Sequence, residues 1–134
     1  MSGREREAPF ITVVMPVRNE ARFIEGTLYS LLEQDYPGDR FEIIVADGFS
    51  DDGTRDIVSR LAGSHPQVRL ADNPGRRSSA GRNVGFRLGR GDYFLVVDGH
   101  CHIPTTGLLA HLARIFRETG ADCLGRPNPS TRPT

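Results

Sequence analysis

Four short runs of apolar and β-branched residues, each followed by turn residues and a segment of helical spacing, constrain this chain more than any other feature. The first, "FITVVMP" (Phe10 to Pro16), is apolar without alternation, the pattern of a strand covered on both faces of a sheet. Behind it Ile24, Leu28, Leu31 and Leu32 predict a helix over about residues 20–34, with Asn19 as its N-cap. "FEIIVAD" (Phe41 to Asp47) repeats the buried-strand pattern, and Ile57, Val58 and Leu61 phase a second helix from Thr54 to Ala62. A short strand "VRLA" (Val68 to Ala71) precedes a helix from about Ser79 to Leu88, and "DYFLVVD" forms the fourth strand. Leu108, Leu109, Leu112 and Phe116 phase a last helix within Thr105 to Thr119, and "ADCLG" begins a fifth strand.

Strands alternating with helices of this length require right-handed crossovers, so the fold class is α/β, a mostly parallel sheet with helices on both faces. Ligands in such sheets bind beyond the carboxyl ends of the strands, where strand order reverses. The segments in that position are "PVRNE", "DGFSDD", "DNPGRRSS" and "DGHCH", a set rich in acids and arginine. No glycine follows the first strand, so the dinucleotide-binding turn is missing. The chain contains no lysine, which removes the usual phosphate loop as well.

With 134 residues the chain fits one domain, expected as an N-terminal arm over 1–9, a folded body over 10–125 and an extended tail over 126–134. Seventeen arginines balance seventeen acids, so net charge gives no reason to expect a nucleic-acid partner, and any anion binding is local. Arginine's planar fork suits phosphate. Cys101 and Cys123 form no disulfide framework and are expected as free thiols in a reducing compartment. "MSGREREAPF" lacks the apolar core of a signal peptide, and no run of eighteen apolar residues occurs, so no membrane segment is expected.

Each strand end carries a functional and a bland reading. The Asp47 carboxylate can accept from a nucleobase imide or a ribose hydroxyl, or serve in a turn, while Asp51 and Asp52 are expected to cap the following helix. Arg76 and Arg77 beside a helix N-terminus can attract a phosphate, or form a solvated basic loop. Asp98 closes an apolar strand at what is expected to be a dry edge, where it needs a partner. A Mn²⁺ or Mg²⁺ ion bridging Asp98, His100 and a diphosphate supplies one; capping by Asp98, with His100 on the surface, is the alternative. A zinc site from His100, Cys101, His102 and Cys123 is disfavoured, because three consecutive residues of an extended chain cannot face one centre.

Together "ITVVMPVRNEARFIEGTLYSLLEQDYP", "FEIIVADGFSDDGT" and "GRNVGFRLGRGDYFLVVDGH" resemble glycosyltransferase family 2, over about Ile11 to Ala121. The resemblance implies a Rossmann-like GT-A fold and a metal-dependent, inverting hexosyltransferase. It would move a sugar from a nucleotide-diphosphate donor, expected to be a UDP-sugar, to a glycan or lipid-linked acceptor. Position by position, it implies that Pro16, Arg18 and Glu20 line the nucleoside pocket, Asp47 binds the base and Arg77 approaches base or phosphate. Asp98 would hold the metal, with His100 as the second ligand in place of the family's second aspartate. That variant resembles bacterial enzymes of exopolysaccharide synthesis such as the succinoglycan type. As a neutral ligand, His100 would hold the metal more loosely and lose it at acid pH.

Family members extend roughly a hundred residues further, into an acceptor half that carries the carboxylate base an inverting displacement needs. The chain is therefore expected to be the donor-binding half, truncated at its C-terminus, with no general base of its own. A nucleotide-sugar-binding module without catalysis is the alternative. An uncovered sheet edge beside the fourth strand predicts self-association. The expected location is the cytoplasm, at the inner membrane face through a partner or a further segment.

Overall fold

The computed structural model of the protein describes residues 8–119 and 123–124. Its elements follow the expected order: β1 (Ile11–Val17), α1 (Ile24–Leu32), β2 (Phe41–Asp47), α2 (Thr54–Ser64), β3 (Val68–Asp72), α3 (Ser78–Leu88), β4 (Tyr93–Val96), α4 (Leu108–Thr119) and β5 (Cys123–Leu124). The sheet order is β3-β2-β1-β4-β5, and every pairing is parallel. The chain steps outward from β1 to β3 and then returns to place β4 on the other side of β1. The reversal point therefore lies between β1 and β4.

The uninterrupted apolar runs are explained by what covers each face. Ile11, Val13, Met15 and Val17 of β1 join Ile43 and Val45 of β2 in a core with Ile24, Leu28 and Leu31 of α1, Val58 and Leu61 of α2, and Leu109 and Ala113 of α4. The intervening residues point the other way, onto α3. A Cβ added at Gly85 would stand 2.3 Å from Val14 Cγ1, and one at Gly81 would stand 2.7 Å from Pro16 Cβ. These two glycines, one turn apart, let the α3 backbone lie directly on β1.

At the amino end of the sheet Glu42 is almost fully buried within β2. It accepts from the Thr12 hydroxyl at 2.8 Å, Arg69 Nη1 at 2.8 Å, and the Arg90 backbone N–H at 2.7 Å, with further bonds from the Arg90 guanidinium. Burial raises its pKa, but the bonds from Arg90, Thr12 and Arg69 outweigh burial and hold the carboxyl below its ordinary value.

Several boundaries differ from expectation. Asn19 does not cap α1, which starts later, at Ile24, with Phe23 in the cap position and no side-chain cap. Residues 19–21 are instead occupied in bonds to the β2–α2 loop, described below. Helix α4 starts at Leu108 because Pro104 and a Thr105 turn, closed by Gly107 N–H to Thr105 Oγ1 at 3.0 Å, precede it. The buried Gln34 then docks the start of α4, accepting from Leu109 N–H at 3.0 Å and donating to the Thr105 carbonyl at 2.6 Å. The edge of β4 expected to be bare is taken by β5 at Phe94 and Leu95.

The expected arm is already anchored at Ala8, whose carbonyl accepts from Arg40 Nε at 2.7 Å. Residues 1–7, the tail over 126–134 and the side chain of Cys123 lie outside the described residues.

Candidate functional site

Three of the loops on the carboxyl side of the sheet meet around a polar cavity of about 200 Å³ at the reversal point. The end of β1 and the loop behind it contribute Pro16, Arg18 and Glu20. The β3–α3 loop contributes Asn73, Arg76, Arg77 and Ser78, and the segment after β4 contributes Asp98 and His100. Three guanidinium groups and two carboxylates thus share one small volume, with the N-terminus of α3 at its wall.

The Asp-x-His triplet reaches this place because of its middle residue. A Cβ at Gly99 would stand 2.6 Å from Val17 Cγ1 and 3.2 Å from Glu20 Cγ, so only glycine lets the chain lie so close to the end of β1. The Gly99 carbonyl accepts from Thr27 Oγ1 of α1 at 2.9 Å, which fixes the segment from the other side. Asp98 is exposed rather than held at a dry edge, because strand pairing ends at Val96 and the carboxylate lies beyond it. Water solvates it, so it needs no protein partner, and among the described residues no hydrogen bond or ion pair engages that carboxylate. His100 is exposed too, with Nδ1 3.0 Å from Glu20 Oε2. That contact joins the β4 segment to the β1 loop and directs the imidazole's other nitrogen away from Glu20.

Asp47 does not line the cavity. It is fully buried, its Oδ1 accepts from the Ser50 hydroxyl at 2.6 Å, and its Oδ2 accepts from Ser50 N–H and Arg55 Nη1, each at 3.0 Å. Arg55 also pairs with Asp72 at 2.9 Å, tying the ends of β2 and β3 to α2. The Asp47 carboxylate therefore shapes the β2–α2 loop from below.

That loop interlocks with the β1–α1 loop. Asn19 N–H donates to Ser50 Oγ at 2.8 Å, and Asn19 Oδ1 accepts from Asp51 N–H at 2.9 Å. Glu20 N–H donates to Thr54 Oγ1 at 2.9 Å, and Ala21 N–H donates to Asp52 Oδ2 at 3.1 Å. Asp52 also accepts from the Thr54 N–H and hydroxyl, and the hydroxyl bond holds its carboxyl below the ordinary value. The cap position of α2 belongs to Gly53, at φ 99°, and Asp51 supplies no side-chain cap. Among the described residues the non-glycine positions with positive φ are Asn19, Phe49 and Arg76, one behind each of β1, β2 and β3. Arg76 lies over the Phe49 ring at 5.4 Å.

Of the four strand ends singled out in the sequence, those of β1, β3 and β4 meet at this cavity and that of β2 does not; the cavity is also lined by Asn73, which the sequence reading did not name. It is almost fully buried, donating from Nδ2 to the Arg77 carbonyl at 2.9 Å, while its Oδ1 has no partner among the described residues. Its place directly behind β3 was the available signal, obscured by the turn-like "DNPG" around it.

Beside the cavity, and sharing His100 with it, runs a larger groove of about 550 Å³ between α1 and residues 100–106, with Phe23 and Tyr29 exposed along it. Among the described residues no three His, Cys, Asp or Glu side chains cluster as a metal site, and no helix is long and apolar enough to cross a membrane.

In a parallel α/β sheet the reversal point, where this charged cavity lies, is where ligands bind. The family model described as glycosyl transferase family 2 matches residues 12–131, and the chain belongs to that family. It is 39% identical over 124 residues to the succinoglycan biosynthesis protein ExoA of Rhizobium meliloti, covering 91% of this chain and 37% of that protein. Among solved structures it resembles the mannosyltransferase PcManGT of Pyrobaculum calidifontis in complex with GDP-Man and Mn²⁺. There the TM-score is 0.73 at 32% identity, over 80% of this chain and 32% of that one. It also resembles S. aureus TarS in complex with UDP-GlcNAc, with a TM-score of 0.71 at 27% identity, over 83% of this chain and 32% of that one. These likenesses bear out the GT-A expectation for the fold. The chain spans 30–38% of the length of the first three curated relatives it matches.

Proposed function

We propose that this chain is the donor-binding half of a metal-dependent, inverting transferase that takes its sugar from a nucleoside diphosphate carrier, a UDP-sugar by the family resemblance, for glycan or polysaccharide synthesis. The observation that carries the reading is the single cavity gathering Pro16, Arg18, Glu20, Arg77, Asp98 and His100 at the reversal point of the sheet. Pro16, Arg18 and Glu20 form the nucleoside wall. Arg77 and the N–H groups at the start of α3 draw the diphosphate to the opposite wall, because both present positive charge to it.

The donor set fits a divalent cation. Mg²⁺ and Mn²⁺ are commonly held by one or two protein ligands together with substrate phosphates, and Asp98 offers a solvated, unengaged carboxylate with His100 two residues on. When bound, such an ion neutralises charge on the departing diphosphate. Asp47, which the resemblance assigns to the base, acts instead through Ser50 and the loop it holds. The groove beside His100 is where an acceptor would approach. The proton of the acceptor hydroxyl needs a base on the face opposite the diphosphate. No residue at the cavity is assigned that part.

Titration calorimetry with UDP and GDP, with and without Mn²⁺, tests this reading. Binding enhanced by Mn²⁺ is expected, and Asp98→Ala is expected to abolish the enhancement while leaving the thermal midpoint unchanged, since Asp98 is exposed. An Asp98→Ala chain that bound UDP with Mn²⁺ as tightly as the parent would overturn it. A second reading is binding without transfer. Sugar release from UDP-sugars distinguishes the two.

A further inference from the structure

We infer that Glu20 is the positioning residue of the cation site: its carboxylate accepts from the Nδ1–H of His100, holds the imidazole in one tautomer, and so makes Nε2 the atom that meets the ion. The inference rests on the donor-site reading above and names the group that sets one ligand within it.

A carboxylate offers a cation two equivalent oxygens, whereas a neutral imidazole offers one lone pair, on whichever nitrogen lacks the proton. A solvated histidine without a partner divides between its two tautomers, and only part of that population is ready to bind from a given side. His100 has a partner. Its Nδ1 stands 3.0 Å from Glu20 Oε2, and an ionised carboxylate only accepts, so the proton belongs on Nδ1 and the lone pair on Nε2. The tautomer is assigned from the chemistry of the partner.

Both residues are delivered to this contact by bonds that do not involve their side chains. Glu20 N–H donates to Thr54 Oγ1 at 2.9 Å, and the Glu20 carbonyl accepts from Phe23 N–H at 3.0 Å and Ile24 N–H at 2.8 Å. The segment carrying His100 is held by the Gly99 carbonyl, which accepts from Thr27 Oγ1, and by Cys101 N–H, which donates to the Asp98 carbonyl at 3.2 Å. A Cβ at Gly99 would press on Glu20 Cγ at 3.2 Å, so the middle residue of the triplet also keeps open the path of Glu20 to His100. The Glu20 side chain is 22% exposed and that of His100 57%, which makes the carboxylate the more fixed member and the imidazole the one it orients. A third-ligand role for Glu20 is not what the arrangement shows, since among the described residues no three His, Cys, Asp or Glu side chains cluster as a metal site. With Asp98 and His100 at the cavity, Glu20 stands behind the imidazole, where a histidine ligand ordinarily finds a carboxylate on its second nitrogen.

The tautomer is read without turnover from the nitrogen chemical shifts of the His100 ring, in the metal-free parent at a pH where the imidazole is neutral, with His100→Ala identifying the signals. The Nδ1–H form is expected in the parent and a mixture of both forms in Glu20→Ala. Mn²⁺ affinity in the presence of UDP, followed by the electron paramagnetic resonance of free Mn²⁺, is expected to fall about tenfold in Glu20→Ala. That is the lower end of what losing such a partner costs a metal site, because the contact is partly solvated. His100→Asp removes the tautomer altogether, so in that background Glu20→Ala should cost clearly less than tenfold. An equal loss in both backgrounds would mean that Glu20 contributes only its charge, and would overturn the inference. So would a parent whose His100 carries its proton on Nε2, a result that leaves the donor site standing. A parent that bound no Mn²⁺ with UDP would instead refute the donor site. Should Glu20→Ala unfold, the tautomer of the parent decides the question alone.

Discussion

Replacing Gly85 by alanine tests the packing that seats α3, and with it one wall of the cavity. The added methyl would stand 2.3, 2.7 and 2.9 Å from Val14 Cγ1, Cγ2 and Cβ. Carbon atoms prefer roughly 3.5–4.0 Å, so relief requires a shift of about 1 Å. Val14 cannot give way cheaply, being fully buried on a central strand and stiff at χ1. Overpacking of this kind costs about 1–3 kcal/mol, and three close carbons place it toward the upper end. Alanine returns roughly 1 kcal/mol of helix propensity, leaving a net loss of about 2 kcal/mol.

Gly26→Ala is the control. Gly26 lies within α1, is exposed, and has nothing within 4 Å of the added Cβ, so it should gain about 0.5–1 kcal/mol. Thermal melts followed by circular dichroism should separate the two variants by about 10 °C, at roughly 3–5 °C per kcal/mol for a chain of this size. UDP affinity should fall for Gly85→Ala, because the start of α3 moves away from the cavity. A Gly85→Ala chain as stable as the parent would refute the account of α3 lying directly on β1.

Glu42→Gln should destabilise the fold by about 1–3 kcal/mol at neutral pH, since two arginines and a backbone N–H lose a charged acceptor, although Arg69 and Arg90 are partly exposed. The Glu42 carboxyl is depressed in the folded state, so its contribution is present above the unfolded value and lost as pH falls through the folded one. Urea midpoints measured from pH 7 down to pH 3 should therefore fall more steeply for the parent than for Glu42→Gln, and parallel curves would contradict this. Asp52→Ala should speed hydrogen exchange at the Ala21 amide several-fold by removing its acceptor. Unchanged exchange there would remove Asp52 as one of the links between the two loops.

Much of the architecture was legible because burial on both faces leaves a direct mark: Ile11 to Met15 and Phe41 to Ala46 have no polar alternation to hide their strand character. Thr12 and Glu42 are the exceptions, and they satisfy each other across the register. Of the loops the strand-end rule singled out, those behind β1, β3 and β4 line one cavity and that behind β2 does not. What sequence did not reveal was which carboxylate turns inward. Asp47 and Asp98 each close an apolar run, yet Asp47 meets Ser50 and Arg55 and is buried, while Asp98 follows the last paired residue and meets water. The difference depends on where pairing stops and on an arginine eight residues ahead, and neither is encoded locally. Asn19 likewise has the chemistry of a helix cap and spends it on Ser50 and Asp51 instead.

The four bonds between residues 19–21 and 50–54 bear on how such a scaffold can be re-engineered. Two connections that complete each other's hydrogen bonding behave as one heritable part. A chimaera taking only the first from a relative would strand donors on the second, whereas exchanging both together preserves the seam. Recombination among these sheets should thus respect a cassette that runs from the end of β1 through the start of α2.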